Sequence, residues 1–388
     1  MRSRSSLGRA LSRAVEFSLA LPAGALIALV WANTALDSYE RFSHAFEFLA
    51  NDVGMVFFFA LAAKEVVEAT SPGGALHTWR RAALPVAAAA GGMAAPALIY
   101  LSGIPLLGLD PGLQRGWAIP CATDIAFSYL VANAIFRRHP VIPFLLLLAI
   151  VDDALGLIML AVFYPVRELR LVLGLAILAV ALVISFALRR RDVQSFWPYV
   201  AIGGSTAWAA LFFGGLHPAL ALVPIVPFMP RARRDPGLFV GAPASAHDTL
   251  SEFEHWWKYP VQGVLLLFGL VNAGVPLQQT GAGTWLVLGS ILVGKPLGIM
   301  LLTGAAVAAG LMLPPRLGWG ELAVAAVTAG IGFTVALFFA VAAFPDARML
   351  LAEVKMGALV SIVAGPLAVV AAAALGVGRF RASAQAHP

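Results

Sequence analysis

The sequence predicts an all-α polytopic membrane protein with about twelve transmembrane helices. Of the 388 residues, 60% are hydrophobic and only 12% are charged, about half the charged share that is usual in soluble domains. Apolar runs of roughly 20 residues, the length that a helix needs to cross a bilayer, recur along most of the chain. Because this hydrophobicity is continuous, we expect a single membrane-embedded domain over residues 1–388.

Each span is an apolar run with polar or charged residues at both of its ends. The seventh and eighth runs are short and poorly separated, which leaves eleven spans as an alternative. The longest polar stretch, about 230–259, predicts a cytoplasmic loop in which an amphipathic helix begins at about His247, with Asp248 or Ser251 as its cap. The spans are expected near residues 14–33, 50–69, 82–102, 117–136, 142–163, 170–188, 198–213, 215–228, 260–277, 284–309, 320–343 and 353–376.

The net charge of +6 indicates membrane topology and argues against a nucleic-acid partner. Most basic residues precede the first span or follow the spans of even number, and few lie in the other connections. By the positive-inside rule both chain ends are then cytoplasmic, which requires an even number of spans. The single cysteine, Cys121, excludes an intramolecular disulfide and a cysteine-based zinc site.

Two spans contain helix breakers next to polar residues. Span 4 has Pro120 shortly before Asp124, and span 11 has Gly330 and Gly332 just before Thr334. A broken helix is tolerated at membrane depth where the freed backbone is buried or lines a cavity. We therefore expect two discontinuous helices that cross, although for span 11 a glycine pair that only permits close packing is the alternative.

Each broken span is the middle of a three-helix unit. The two units cover about residues 82–163 and 284–376, and the predicted topology orients them oppositely. Such inverted repeats place a binding site near the bilayer midplane, between the discontinuous helices.

Asp152 and Asp153 interrupt an otherwise apolar span. A carboxylate at this depth costs about 2.5–3.5 kcal/mol on insertion scales, so an adjacent pair indicates a water-filled cavity. The two carboxylates repel each other, and hard cations such as Na⁺ or Li⁺ prefer oxygen ligands. The pair therefore predicts a site at which a metal cation and protons compete; an unusual structural pair is the alternative.

Three further polar residues lie at similar depth. Lys295, near the middle of span 10, is expected to balance helix carbonyls or to pair with one of the aspartates. Asp124 balances a positive half-helix start or contacts the ion, with a purely structural cap as the alternative. Thr123 offers a hydroxyl ligand, and a simple bond to the backbone is equally compatible with its position.

Charged residues also gather at the cytoplasmic ends of two spans. Lys64, Glu65 and Glu68 lie in span 2, and Glu254 and His255 precede span 9. Because Lys64 and Glu68 are four residues apart, a surface ion pair is an equal alternative to a functional role.

Taken together, the ordered motifs resemble the NhaA family of bacterial sodium/proton antiporters over about residues 14–376. The motifs are GWAIPCATDIAFS at 116–128, AIVDDALG at 149–156, NAGV at 272–275, GKPLGI at 294–299 and GIGFT at 330–334. The resemblance implies electrogenic export of cytoplasmic Na⁺ or Li⁺ from the bacterial inner membrane. Two external protons would enter for each sodium ion, by alternating access, in the service of pH homeostasis.

The resemblance also implies roles for individual residues. Asp153 would be the principal cation ligand and proton acceptor, and Asp152 would pair with Lys295 when the cation is absent. Asp124 and Thr123 would lie where the two broken helices cross. Neither an enzymatic activity nor a resident cofactor is implied; the bound species are the transported ions.

The sequence departs from the family pattern in the proposed pH-sensing region, which comprises Glu65, Glu68, Glu254 and His255. Glu68 stands where an arginine is expected, and Lys258 stands where the family often has histidine, so the resemblance implies shifted or weak pH activation. The loop between spans 1 and 2 is too short for the β-hairpin through which relatives dimerise. The resemblance therefore does not extend to a homodimer.

Four other functions share parts of this pattern of charges. A cation-coupled symporter and an exchanger that accepts K⁺ need the same scaffold. An intramembrane aspartyl hydrolase needs two aspartates on facing helices, but no Gly-x-Gly-Asp segment is present. A membrane scaffold that has lost transport is disfavoured because Asp124, Asp152, Asp153 and Lys295 are all present.

Overall fold

The computed structural model describes residues 19–137, 139–231 and 248–381. Throughout these ranges all regular elements are helical, which confirms the predicted fold class. The basic N-terminal segment and most of the predicted loop at 230–259 lie outside the described residues. The α-helices are α1 Ala20–Thr34, α2 Leu36–Phe48, α3 Met55–Thr70, α4 Trp79–Leu106, α5 Ile125–Phe136, α6 Val141–Phe163, α7 Leu171–Arg190, α8 Ser205–Gly214, α9 Thr249–Asn272, α10 Ala282–Gly289, α11 Lys295–Ala308, α12 Trp319–Thr328, α13 Phe333–Ala343, α14 Arg348–Val360 and α15 Ala364–Ala374.

Six helical segments in the described part of the chain are long and apolar enough to cross a membrane, and two bent pairs raise this number to eight. Several of the six join two α-helices through a π turn or a 3₁₀ turn, as in the segment Leu36–Thr70. Two shorter apolar helices, Ala20–Thr34 and Tyr199–Gly214, correspond to predicted spans 1 and 7.

The eighth and ninth predicted spans differ from the structure. The regular elements of the stretch 215–228 are two three-residue 3₁₀ turns, Pro218–Leu220 and Val226–Phe228. Each begins at or next to a proline, which has no N–H to donate. The helix predicted over 260–277 is Thr249–Asn272, capped by the Asp248 carboxylate, which accepts from the Ser251 amide at 2.7 Å.

The chain folds into two compact units, residues 1–77 with 154–274 and residues 78–153 with 275–388. Helix α6 runs from the second unit into the first. Both bent pairs lie in the second unit, which contains most of the two predicted repeats; their inverted relation stays a prediction.

Close helix packing in the second unit depends on glycine. A β-carbon on Gly298 of α11 would lie 1.9 Å from the carbonyl oxygen of Gly91 in α4, and one on Gly91 would lie 2.1 Å from the Gly298 carbonyl. Small residues let two helix backbones touch in this way. This crossing fixes α11, and with it Lys295, against α4.

Candidate cation and proton site

The first broken helix places Asp124 at a helix start. Residues Pro111–Cys121 form short 3₁₀ turns, and the chain bends by 50° before it continues as α5. Asp124 is the N-cap of α5, and its Oδ1 accepts a hydrogen bond from the Phe127 amide at 3.3 Å. The carboxylate thus lies at the positive end of the helix dipole.

The second broken helix consists of α12 and α13, which are bent by 48°. Residues 329–332 separate them and include Gly330 and Gly332. Here the amides of Gly330 and Ile331 bond to carbonyls only three residues back, so the α-helical ladder stops. The predicted discontinuous helices are therefore present.

Polar side chains and backbone groups join the two breaks. The Asp124 amide donates to the carbonyl of Ile331 at 2.6 Å. The Thr123 hydroxyl donates to the carbonyl of Ala329 at 3.2 Å, so Thr123 makes the backbone bond that the sequence left as an alternative. In this way the carbonyls freed by the second break find donors on the first.

The Asp124 carboxylate also serves the second half-helix. Its Oδ2 accepts from the Thr334 amide at 3.2 Å and from the Thr334 hydroxyl. Thr334 lies in the first turn of α13, where helix amides have no partner within the helix. One buried carboxylate therefore caps the start of α5 and the start of α13 together.

Lys295 is fully buried and carries the opposite charge. It is the first residue of α11, directly after the π turn Ser290–Gly294. Its Nζ lies 3.1 Å from Oδ2 of Asp152 and donates also to the backbone carbonyl of Cys121. The ammonium thus contacts both a carboxylate and the carbonyl end of the 3₁₀ segment in the first broken helix.

Only one oxygen of Asp152 has a partner. The other, Oδ1, is buried and has no hydrogen-bond partner within the described structure. An unpaired buried acceptor costs about 1–3 kcal/mol, and more when it is charged. The next residue, Asp153, is partly exposed. The pair therefore offers carboxylate oxygens to a cation or to protons.

The proposed pH-sensing residues lie in the first unit. Lys64 Nζ lies 2.5 Å from Glu68, 2.7 Å from Glu254 and 3.6 Å from Glu65. The predicted ion pair between Lys64 and Glu68 is present, but the Lys64 side chain is only 6% exposed, so the pair does not lie on the surface. His255 is exposed, and it is not among the described residues that pair with Lys64.

Sequence reasoning missed two polar contributors to the crossing. The Ser128 hydroxyl donates to the Thr328 carbonyl at 3.0 Å, and the Cys121 carbonyl accepts from Lys295. Ser128 is four residues beyond Asp124 and thus on the same face of α5, which is a usable signal. No such signal exists for the Cys121 carbonyl, because every residue carries a backbone carbonyl.

The sequence matches the family described as Na⁺/H⁺ antiporter 1 over residues 9–375. The chain belongs to this family. Similar relatives in this antiporter family include an NhaA of Desulfitobacterium hafniense, 46% identical over 380 residues, which cover 94% of this chain and 96% of that protein. Another is NhaA 1 of Pelobacter propionicus, 46% identical over 386 residues that cover 96% of this chain and 99% of the relative.

A solved structure extends the likeness to the fold. The sodium proton antiporter MjNhaP1 from Methanocaldococcus jannaschii at pH 8 aligns with a TM-score of 0.57 and 16% identity, over 93% of this chain and 92% of that one. At this identity the likeness concerns the fold alone. The family match, the relatives and the apolar helices make this chain a multi-pass membrane protein and confirm the resemblance found in the sequence.

Proposed function

We propose that this protein is a secondary transporter that exchanges cytoplasmic Na⁺ or Li⁺ for external protons across the bacterial inner membrane. The observation that carries the proposal is the buried Asp152 carboxylate, whose Oδ1 has no partner and whose neighbour in the chain is Asp153. In a member of the Na⁺/H⁺ antiporter 1 family, this unpaired oxygen is the natural contact for the transported ion.

Competition between protons and the cation supplies the exchange mechanism. A hard cation binds through oxygen, and each proton on Asp152 or Asp153 removes a charged ligand. Within the described residues no group of three His, Cys, Asp or Glu side chains is placed to hold a metal ion. In this proposal Asp153 and Asp152 supply the charged ligands of the cation.

Lys295 is the proposed internal substitute for the cation. Its ammonium lies 3.1 Å from Asp152 and neutralises that carboxylate when the sodium ion leaves. Binding of sodium at Asp153 and Asp152 would displace this pairing. Two protons per sodium ion make the cycle electrogenic, and each net charge moved is worth about 2.3 kcal/mol per 100 mV of membrane potential.

Asp124 and Thr123 are the proposed fixed elements around which access alternates. They hold the crossing of the broken helices through Ile331 and Ala329. Both chain ends are proposed to be cytoplasmic, as the distribution of basic residues predicts.

The cluster of Lys64 with Glu65, Glu68 and Glu254 is the proposed pH-responsive region. One ammonium faces three carboxylates within 3.6 Å. A change of charge on any one of these carboxylates would alter its ion pair with Lys64, which is why we place the pH response here.

The test is proton movement in everted membrane vesicles on addition of Na⁺, Li⁺ or K⁺, across a pH series. Wild type is compared with Asp153→Asn and with Asp110→Asn. Asp110 is an exposed loop residue that caps Gly112, and asparagine caps equally well. We expect Na⁺ and Li⁺ to release protons from vesicles with wild type and Asp110→Asn, but not with Asp153→Asn.

Other outcomes would replace the proposal. A response that survives Asp153→Asn, or no response at any pH, contradicts exchange at this pair. Proton movement in the same direction as sodium indicates symport, and an equal response to K⁺ indicates a broader exchanger. Cleavage of a peptide substrate with no ion flux indicates the hydrolase.

A further inference from the structure

The last predicted span is also interrupted. The sequence predicts one continuous helix over 353–376, but a 3₁₀ turn, Ser361–Val363, separates α14 from α15. A 3₁₀ stretch in the middle of a helix often marks a hinge or a strained segment. Here it lies in the second unit, with both broken helices.

The Ser361 hydroxyl makes two hydrogen bonds from this turn. It is fully buried, donates to the Ala358 carbonyl at 2.6 Å, and accepts from the Gly332 amide at 3.2 Å. Gly332 ends the break between α12 and α13 and is the N-cap of α13. Its amide is thus one of the donors that the break frees from the helical ladder.

The turn also packs against the break. A β-carbon on Gly330 would lie 3.6 Å from the β-carbon of Ala364, and one on Gly365 would lie 3.8 Å from Cδ1 of Ile331. A methyl group at either glycine would just reach the facing residue, so the start of α15 lies next to the break. Ser361 is held where it can fix the backbone of residues 330–332.

We infer that Ser361 is a positioning residue for ion exchange. It touches neither aspartate of the proposed ion pair. It acts through Gly332, which is followed two residues later by Thr334, the partner of the Asp124 carboxylate. This inference rests on the proposed function and adds a residue of span 12 to the crossing.

Loss of the hydroxyl leaves the Gly332 amide buried with no acceptor. The break is then expected to rearrange until that amide finds another partner, and Thr334 moves with it. Only the molecules that keep the original crossing bind the cation well. The apparent affinity is therefore the intrinsic affinity multiplied by the fraction of such molecules. At saturating cation the competent arrangement is selected again, so the maximal rate is retained.

The experiment compares Ser361→Ala with Ser185→Ala in everted vesicles. Ser185 is a matched control because it is also fully buried and donates to a backbone carbonyl, that of Ala181 at 2.9 Å, but it lies in the first unit. We expect the half-maximal Na⁺ and Li⁺ concentrations to rise about fivefold for Ser361→Ala, since a net hydrogen bond is worth about that factor. They stay at the wild-type value for Ser185→Ala.

A second variant covers the case in which Ser361→Ala does not accumulate. Ser361→Cys replaces the hydroxyl by a thiol, which is a weaker hydrogen-bond acceptor. We expect its half-maximal Na⁺ and Li⁺ concentrations to lie between those of wild type and Ser361→Ala. A purely structural role would lower the thermal unfolding midpoint and leave the half-maximal concentration unchanged.

The two proposals fail separately. If wild type shows no exchange, the proposed function is wrong. If wild type exchanges ions and the Ser361 variants keep its half-maximal concentration, or lose only maximal rate, the positioning role of Ser361 is overturned and the proposed function stands.

Discussion

The buried pair of Lys295 and Asp152 predicts an asymmetric cost when either partner is removed. Lys295→Met keeps the length of the side chain but removes its charge. Asp152 then loses its one hydrogen bond while its Oδ1 is already unpaired, and the Cys121 carbonyl loses its ammonium donor. A buried carboxylate with no partner on either oxygen is the result.

The magnitude follows from these contacts. Removing one partner of a buried ion pair costs about 3–5 kcal/mol, and two hydrogen bonds to a charge account for a similar sum at about 1.5–3 kcal/mol each. Asp152→Asn should cost less, because the amide oxygen still accepts from Lys295 and the Cys121 carbonyl keeps its donor. We expect the double variant to be more stable than Lys295→Met alone.

The assay is the thermal unfolding midpoint of the purified protein in detergent, measured at one heating rate because membrane proteins often unfold irreversibly. The control is Lys258→Met, which removes an exposed lysine from α9. Lys295→Met should show the lowest midpoint, Asp152→Asn an intermediate one, and Lys258→Met the wild-type value. Equal midpoints for Lys295→Met and Lys258→Met would refute the reasoning, as would a double variant less stable than both single ones.

Two further substitutions test the crossing and the helix packing. Thr334→Val keeps the side-chain volume and the Thr334 amide bond but removes the hydroxyl that donates to Asp124. We expect exchange in vesicles to fall about tenfold, and Thr334→Ser, which keeps the hydroxyl, to retain it. Equal loss in both variants would contradict the reasoning, because the hydroxyl would then not account for the loss. Gly298→Ala places a β-carbon 1.9 Å from the Gly91 carbonyl oxygen and should abolish accumulation of folded protein, measured by size-exclusion chromatography. Gly289→Ala meets nothing within 4 Å and should accumulate normally; normal behaviour of Gly298→Ala would show that this crossing is loose.

The sequence alone predicts features that arise from a single type of residue inside a transmembrane span. Pro120 and Gly330 lie beside polar residues in apolar spans and so reveal the two breaks, whereas Pro85 and Pro96 lie inside the continuous helix α4. A charge inside an apolar run is costly in any fold, so Asp152 and Lys295 stand out from the pattern of hydropathy alone.

Other features depend on which elements meet, and a single sequence does not encode that locally. Ser361 is one serine in an apolar span, and only the contact with Gly332 distinguishes it from a serine that bonds to its own helix. The polar pattern predicts a helix start at about His247 with Asp248 as a possible cap, which the structure confirms. The hydropathy pattern, however, misses the first turns of α9 because they carry charged residues. These lower the hydropathy of a window that is helical all the same.

The charges at the crossing explain why the proposed exchange moves net charge. Asp124 is offset by amide donors at two helix starts, and Lys295 by the Cys121 carbonyl and Asp152. Asp124, Asp152 and Asp153 set three carboxyl groups against the one amino group of Lys295, an excess of two, and burying uncompensated charge is unfavourable. Two protons neutralise that excess, whereas one sodium ion neutralises half of it. The site therefore carries one net charge when it holds one sodium ion and another when it returns with two protons. The membrane potential acts on that difference.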